Sequence, residues 1–334
     1  MIKIALHCPN FEDGTSYYRV QRPLSRLRKK MALDIAFFAN WNASVMGLVD
    51  AVLIQRPYDD SGVNIAKLCK LAGVPLWVDY DDDVFQVGMS HQFFHVYNSP
   101  QVRANVQLCL DLADVISVST EQLKKVMESK TKTKVVVIPN ALDMDLPTVK
   151  GREELKAAGR NPVVLFRGSN SHEKDLIEVG ADLIDVLRAH PEVQFHSMGY
   201  LPWMINECIP SAQWAFSPWS DPFIYFQQLC ELRPMVVVHP LEDNLFNRGK
   251  SNCSWIETTV ANAPFITRKL PEFEKPGILT YSTPEEFAVV LEKLLKGDYP
   301  LDALVDQSWG HIKENYTLEK ANELREELIL NLVS

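Results

Sequence analysis

The sequence contains few of the features that mark secreted, metal-clustered or membrane-spanning proteins. Its six cysteines are Cys8, Cys69, Cys109, Cys208, Cys230 and Cys253. They stand singly with no CxxC pair, so we expect free thiols in a reducing compartment and neither a disulfide framework nor a zinc site. No apolar run reaches the roughly 18–20 residues of a transmembrane helix. The start, MIKIALHCPN, lacks the charged region, long apolar stretch and cleavage site of a signal peptide, which predicts a cytoplasmic protein.

The sequence also has no excess of basic residues over acidic ones. The chain has 34 Lys and Arg against 43 Asp and Glu, a net charge of −9, whereas a dedicated nucleic-acid-binding protein usually carries a basic surface.

The length and the hydrophobic content suit a two-domain protein. The 334 residues favour two domains of roughly 150 residues, and a hydrophobic content of 46% is enough for two buried cores.

Short β-rich runs alternate with helical patterns along the whole chain. In the first half the predicted strands are Ile2–His7, Asp34–Ala39, Ala51–Gln55, Pro75–Tyr80, Asp114–Ser119 and Val135–Pro139. In the second half they are Pro162–Phe166, Val193–Met198, Gln213–Phe216, Met235–His239, Pro264–Thr267 and Gly277–Tyr281. The alternation predicts an α/β protein with two Rossmann-like, doubly wound parallel-sheet domains, which we place at residues 1–145 and 146–310.

The most informative stretch is 244–266, NLFNRGKSNCSWIETTVANAPFI. A polar loop runs into a predicted helix that starts at Ser251, a favourable N-cap. Lys250, Ser254 and Glu257 share one face of this helix, opposite an apolar stripe. A helix N-terminus with a cation attracts phosphate, and a carboxylate two turns further can accept hydrogen bonds from a ribose diol. The alternative is an ordinary solvated helix face.

This stretch resembles the nucleotide-sugar signature of the GT-B glycosyltransferases of glycosyltransferase family 4. The residues that match the family pattern are Asn247, Lys250, Ser251, Glu257 and Pro264. Ser254 stands where a second Lys is common, and the first Glu of the family's paired-Glu motif is not at its expected spacing. The resemblance implies that Glu257 binds the donor ribose, and it leaves the transferred sugar open.

A second stretch that resembles the family is VLFRGSNSHEKDL, residues 164–176. A predicted strand ends at Arg167-Gly168-Ser169, and a helix predicted over His172–Leu187 carries Lys174 in its first turn. The resemblance implies that Arg167 and Lys174 neutralise the diphosphate leaving group. Their spacing is longer than the usual one by about two residues, and surface positions are the alternative.

The loop CPNFEDGTSYY follows the first predicted strand. Gly14, Thr15 and Ser16 form a turn where backbone can approach a ligand closely. A single glycine is not a GxGxxG fingerprint, so dinucleotide binding is poorly supported. The resemblance implies that Gly14 and Thr15 reach the donor phosphate and the acceptor, whereas an ordinary strand-to-helix turn is the alternative.

The most basic segment of the chain comes next. It contains Arg19, Arg22, Arg26, Arg28, Lys29 and Lys30. Three interpretations stay open: a solvated helix face, a patch for an anionic acceptor such as a lipid phosphate, a membrane surface or nucleic acid, or Arg19 alone pointing into the cleft. The preceding Tyr18 would suit stacking on a sugar or base.

The stretch WVDYDDDVF places Asp79, Asp81, Asp82 and Asp83 at a strand end. Asp-x-Asp holds a divalent metal in the other glycosyltransferase architecture, GT-A. Because the chain has two Rossmann-like halves, we favour instead a role for these carboxylates in positioning the acceptor hydroxyl. Neighbouring carboxylates raise one another's pKa, which suits proton transfer. An acidic loop at the cleft rim is the alternative. His91 and His95 follow without HExxH, and the resemblance implies one active-site His from this domain.

Together the patterns and the resemblance predict a GT-B glycosyltransferase. The resemblance implies retention of configuration, a reaction without metal or cofactor, and residues 311–334 crossing back onto the first domain. The expected donor is a UDP-sugar or GDP-sugar; the expected acceptor is a glycan, a lipid-linked glycan or, less favoured, DNA, and peripheral membrane contact is compatible. An inactive two-lobed nucleotide- or sugar-binding protein is the rival. The donor-binding candidates are Gly14, Thr15, Arg167, Gly168, Ser169, Lys174, Asn247, Lys250, Ser251, Asn252 and Glu257. The catalytic candidates are Asp81, Asp83 and His95, and the acceptor-binding candidates are Tyr18, Arg19 and Asp79.

Overall fold

Two parallel β-sheets form the framework of the computed structural model, which describes residues 1–89 and 91–334. The first sheet contains β1 (Ile2–His7), β2 (Leu33–Ala36), β3 (Ala51–Gln55), β4 (Leu76–Tyr80), β5 (Val115–Val118) and β6 (Lys134–Val137). The second contains β7 (Asn161–Arg167), β8 (Gln194–Gly199), β9 (Trp214–Pro218), β10 (Pro234–His239), β11 (Phe265–Arg268) and β12 (Ile278–Tyr281). The strand orders are β2-β1-β3-β4-β5-β6 and β12-β11-β10-β7-β8-β9. The prediction of two Rossmann-like parallel-sheet domains is confirmed.

Helices connect the strands and cover the sheets. In the first half they are α1 (Gly14–Ser16), a π-helical turn (Tyr17–Gln21), α2 (Arg22–Lys30), α3 (Ala43–Met46), α4 (Asp60–Ala72), α5 (Phe94–Tyr97), α6 (Pro100–Leu112) and α7 (Glu121–Glu128). In the second half they are α8 (Pro147–Lys150), α9 (Arg152–Ala158), α10 (Glu173–Glu178), α11 (Gly180–Ala189), α12 (Trp203–Cys208), α13 (Pro222–Leu232), α14 (Leu245–Arg248), α15 (Cys253–Val260), α16 (Pro284–Leu295), α17 (Leu301–Asn315) and α18 (Leu318–Leu332). Three short 3₁₀ turns are Asn170–His172, Ser211–Gln213 and Pro271–Phe273.

Local sequence signals set the ends of several helices. Asp59 caps α4 by accepting a hydrogen bond from the Gly62 amide. Gly73 follows the last residue of α4 and has a φ of +66°, which suits glycine. Thr283 caps α16 by accepting from the Glu286 amide at 3.3 Å, with Pro at the first helical position.

Each sheet is buried on both faces, as expected for a parallel sheet between helix layers. One face of the first sheet packs on α4, α6 and α7, through residues such as Val63 and Leu110. Its other face packs on α2 and on the last helix, α18, through Ala321, Leu328 and Ile329. The final helix of the chain therefore completes the core of the first domain.

The chain passes between the two halves at two adjacent points. Leu142 donates from its amide to the Tyr316 carbonyl at 2.8 Å, and its own carbonyl accepts from the Leu318 amide at 2.7 Å. The two crossings are thus hydrogen-bonded to each other. Within the described residues, no helix combines the length and the apolar character that crossing a membrane requires.

Candidate active site in the interdomain cleft

A cavity of about 470 Å³ lies between the two halves, at the carboxyl ends of second-sheet strands. Open parallel sheets bind ligands at this edge. Six of the residues predicted from the sequence line it: Gly14, Tyr18, Arg167, Gly168, Ser169 and Glu257. Gly14 and Tyr18 come from the first half of the chain, so both halves form the wall of the cavity.

Glu257 is the most heavily hydrogen-bonded carboxylate at this cavity. Its side chain is buried, and its Oε1 accepts from the Tyr18 hydroxyl at 2.8 Å. Its Oε2 accepts from Arg167 Nε at 3.0 Å, from Arg167 Nη2 and from the Tyr225 hydroxyl at 3.1 Å. Charge-assisted bonds of this kind fix a carboxylate in one orientation. Glu257 is therefore held at the wall of the cavity with its charge balanced by Arg167.

Positive groups gather behind this carboxylate. Arg167 Nη1 also donates to Ser254 Oγ at 3.2 Å, and Ser254 lies 3.3 Å from Nε2 of the buried His239. Burial holds the pKa of His239 well below its usual value, and the positive charges nearby, from His172, Arg167 and Lys250, act in the same direction. His239 is therefore neutral, and the cations around it leave this end of the second sheet suited to an anion.

The helix after the polar loop starts two residues later than the sequence predicts. It begins at Cys253, and Ser251 does not cap it, because the Ser251 hydroxyl accepts instead from Asn140 Nδ2 at 2.9 Å. Asn252 occupies the cap position without a capping bond from its side chain. Its Nδ2 is buried and has no hydrogen-bond partner among the described residues. An unpartnered amide donor thus lies below the surface at the start of α15.

Lys250 faces the first half of the chain. Its Nζ lies 3.3 Å from Asp82 Oδ1 and 4.5 Å from the centre of the Phe246 ring. Burial alone would raise the pKa of Asp82, but the charge of Lys250, with that of Arg56, lowers it below its usual value. A second bond joins the same loop to the first domain, from Thr120 Oγ1 to the Gly249 carbonyl at 3.1 Å.

Six predicted donor-binding residues do not line the cavity: Thr15, Lys174, Asn247, Lys250, Ser251 and Asn252. The buried Asn247 donates through Nδ2 to Asp175 Oδ1 at 2.8 Å, so it fixes the loop before α15. Lys174 is exposed, because a 3₁₀ turn over Asn170–His172 precedes α10 and shifts the helix start to Glu173. The predicted long helix is also divided, since α10 ends before Val179 and α11 begins after it.

Thr15 and Asp81 form a compact cluster with Arg56. Asp81 accepts from Thr15 Oγ1 at 2.8 Å and from Arg56 Nε at 3.0 Å. Burial raises the pKa of Asp81, against the opposing effect of Arg56. Arg56 has a φ of +48°, an unusual backbone conformation for a residue with a side chain. Such strain is concentrated at functional sites, so Arg56 joins the candidates although no sequence motif marks it.

Arg19, Asp79 and Asp83 lie below the surface of the cleft. Arg19 pairs with Asp79 through Nε at 3.0 Å and Nη2 at 2.6 Å, and both residues are 2% exposed. This geometry is that of an internal structural pair and leaves neither side chain facing an acceptor. Asp83 is 1% exposed, and burial raises its pKa to about 6. Its Oδ2 has no hydrogen-bond partner among residues 1–89 and 91–334.

Of the two histidines in this region, His91 is the one beside the second domain. Its ring lies 5.2 Å from that of Phe246, and burial together with the charge of Lys250 lowers its pKa to about 4. His95 is exposed and packs edge-on to Phe94. His91 is therefore the histidine that lies in the cleft, as a neutral side chain.

The basic segment is largely neutralised within the protein. Arg22 and Arg26 both bind Asp143, and Arg26 also lies 3.1 Å from Asp145. Lys30 pairs with Glu326 of the last helix at 2.8 Å. The segment therefore attaches α2 to neighbouring elements instead of forming an open cationic patch.

The cavity wall also includes residues that are not among the predicted site residues, such as Met198, Tyr200, Trp219 and Tyr225. Their types are those of core residues. Met198 lies in β8 and Tyr225 in α13, and only the folded second domain brings them together. One residue of the sequence, a glycine, marks this part of the wall once the structure is known. Gly199 has a φ of +93°, and a side chain there would meet the Gly168 carbonyl at 2.6 Å, so the floor of the cavity requires a glycine.

Comparisons with protein-family models and with curated proteins find no match for this chain. Solved structures are similar in fold at low identity. Sucrose-phosphate synthase from Thermosynechococcus elongatus is 12% identical with a TM-score of 0.72, covering 99% of this chain and 99% of that one. HepE of Anabaena, solved with UDP and glucose, is 13% identical with a TM-score of 0.71, covering 99% of this chain and 100% of that one.

A longer protein is similar over part of its length. The pneumococcal O-GlcNAc transferase GtfA, solved with UDP and GlcNAc, is 15% identical with a TM-score of 0.63. The match covers 87% of this chain and 59% of GtfA, so this chain spans little more than half of that relative. With its two six-stranded parallel sheets and its match to these structures, the chain has the two-domain, Rossmann-like GT-B fold.

Proposed function

We propose that this chain is a glycosyltransferase that moves a sugar from a nucleoside diphosphate sugar to an acceptor hydroxyl, with retention of configuration and without metal. The observation that carries this proposal is the Glu257–Arg167 pair at the wall of the interdomain cavity. A buried carboxylate suits a ribose diol, and the cations beside it suit the diphosphate. Similarity in fold to structures solved with UDP supports UDP as the nucleotide.

Each group has a chemical role in this proposal. Glu257 accepts hydrogen bonds from the ribose hydroxyls, while Arg167, Lys250 and the Asn252 amide bind the diphosphate. Negative charge develops on the departing diphosphate, and preorganised donors stabilise it without rearrangement. Each charge-assisted contact contributes about 1.5–3 kcal/mol. No cofactor is required, because the donor itself carries the activated sugar.

The acceptor in this proposal is a glycan, free or lipid-linked. Phe11 and Phe37 follow β1 and β2 at the carboxyl edge of the first sheet, with exposed rings 5.4 Å apart. Exposed aromatic rings of this kind suit the apolar face of a sugar. Because Arg22, Arg26 and Lys30 are paired within the protein, we do not extend the proposal to DNA.

The test is a thermal-shift panel of UDP, GDP, ADP, CMP and dTDP, with and without Mg²⁺, on wild type and Glu257→Gln. A nucleotide at about a hundredfold its dissociation constant adds roughly 2.7 kcal/mol of stability. We expect UDP to stabilise the wild type without Mg²⁺ and to stabilise Glu257→Gln much less. Absence of any shift would refute the proposal, and slow hydrolysis of a bound UDP-sugar separates an enzyme from an inactive binding protein.

A further inference from the structure

One ion pair bridges the cleft at the site proposed for the diphosphate. Lys250 Nζ of the second domain lies 3.3 Å from Asp82 Oδ1 of the first, above the Phe246 ring. The Lys250 side chain is 17% exposed and that of Asp82 is 30% exposed, so the pair is accessible to a ligand entering the cleft. Asp82 is joined to no other cation by a salt bridge among the described residues. Its carboxylate is therefore the group that now neutralises Lys250.

A carboxylate and a phosphate present the same feature to a lysine, an anionic oxygen at hydrogen-bonding distance. Two anions beside one ammonium group repel each other because they have the same charge, and partial burial strengthens the repulsion relative to bulk water. A diphosphate that binds Lys250 must therefore detach Asp82 or tolerate its charge at close range.

A second contact across the cleft also uses a group that the nucleotide would contact. The Tyr18 hydroxyl of the first domain donates to Glu257 Oε1 at 2.8 Å, as a ribose hydroxyl would. The first domain thus offers the donor site a carboxylate where the phosphate would bind and a hydroxyl where the ribose would bind. These contacts hold the domains together through the groups that the nucleotide needs.

We infer that Asp82 is a built-in competitor of the donor diphosphate for Lys250. The inference rests on the proposed function and adds a regulation of the same site. Donor binding exchanges the carboxylate for the diphosphate, so it releases one contact between the domains. The affinity for nucleotide is consequently lower than the donor-binding groups alone would give.

Calorimetric titration of UDP into full-length variants tests the exchange. Asp82→Asn, which keeps the size of the side chain and removes its charge, should lower the dissociation constant of UDP by about five- to tenfold. Lys250→Met should raise it, and adding Asp82→Asn to Lys250→Met should bring no further tightening, since the competition needs both partners. Asp82→Ala, with melting temperature as a folding check, serves as the second variant.

The control is Asp243→Asn, which removes the exposed Arg248–Asp243 pair on the same loop and should leave UDP affinity unchanged. If the wild type binds no nucleoside diphosphate, the proposed function fails and the inference fails with it. If UDP binds but Asp82→Asn leaves its affinity unchanged or weakens it, the inference alone is overturned. UDP binding that is indifferent to Lys250→Met overturns it as well.

Discussion

Two arginine–carboxylate pairs of this protein have the same chemistry and different surroundings. Arg19 and Asp79 pair inside the first domain, where the side chains are 1% and 3% exposed. Arg167 and Glu257 pair at the wall of the cavity, where Arg167 is 17% exposed. In each pair one residue belongs to a strand, Asp79 to β4 and Arg167 to β7, and its partner belongs to a helix.

The difference lies in what else each carboxylate contacts. Asp79 accepts from Arg19 and from Ser117, and the remaining donors of Arg19 reach Ile138 and Asn140. Every partner of this pair is part of the first sheet or the adjoining crossing. Glu257 instead accepts from tyrosine hydroxyls that ligand hydroxyls could replace. An ion pair with protein on all sides supports the fold, whereas one with an open side can bind a ligand.

The largest effect that we predict comes from breaking the internal pair. Asp79→Ala leaves the Arg19 guanidinium buried and uncompensated, which costs about 3–5 kcal/mol of unfolding free energy. Glu257→Ala should cost clearly less, because Arg167 can turn toward solvent in the cavity. Urea denaturation of both variants measures the difference, and equal losses would show that the two pairs are not distinct in kind.

A third buried carboxylate, Asp83, forms no salt bridge among the described residues and extends the comparison. Burial raises its pKa to about 6, above the value of about 3.9 for an unfolded chain. Between these values the folded state keeps a proton that the unfolded state has lost, so its contribution to stability is present at low pH and falls as pH rises. The loss amounts to roughly 2–3 kcal/mol, since one unit of pKa corresponds to about 1.4 kcal/mol.

Asp83→Asn removes this titration. The variant should therefore be more stable than the wild type at pH 7.5 and should lose that advantage near pH 4. Melting temperatures from pH 4 to pH 7.5 check the sign. A variant that is less stable at pH 7.5 would mean that the ionised carboxylate has a stabilising partner.

The smallest predicted effect comes from removing one hydroxyl group beside the Arg167–Glu257 pair. Tyr225→Phe removes the 3.1 Å hydrogen bond to Glu257 and the 2.6 Å hydrogen bond that the hydroxyl accepts from Arg167 Nε, and it keeps the ring beside Arg167. We expect a loss of about 1–2 kcal/mol in stability and a measurable change in UDP affinity. Tyr200→Phe is the matched control, because Tyr200 lines the same cavity while its hydroxyl donates to Glu173. Equal changes in UDP affinity would remove Tyr225 from the donor site.

The sequence is most informative where function depends on local spacing. Strand β1 has the predicted bounds, and Arg167 and Glu257 follow from a strand end and from helical spacing. The rule that ligands bind at carboxyl ends of parallel strands places them at one cleft. Predicting these features requires only the sequence within a few residues of each one.

The sequence is least informative where burial depends on distant residues. Arg19 belongs to a charge run, and only its partner 60 residues away turns it into an internal group. Tyr18 meets Glu257 across 239 residues. The predicted helix starts at Ser251 and His172 are displaced, the first by a bond from Asn140, 111 residues away, and the second by a 3₁₀ turn over Asn170–His172. Each of these contacts requires the packed tertiary structure.

The position of α18 in the first domain affects how the chain folds as it leaves the ribosome. The strands of the second sheet lie between Asn161 and Tyr281 without interruption from elsewhere in the sequence. The first sheet is made earlier, but Leu328 and Ile329 cover one of its faces. The part of this apolar face that α18 covers stays open until that helix has been synthesised, and exposed surface of this kind attracts chaperones. The first sheet is therefore translated before the second, but its cover is completed only after the second sheet has been made.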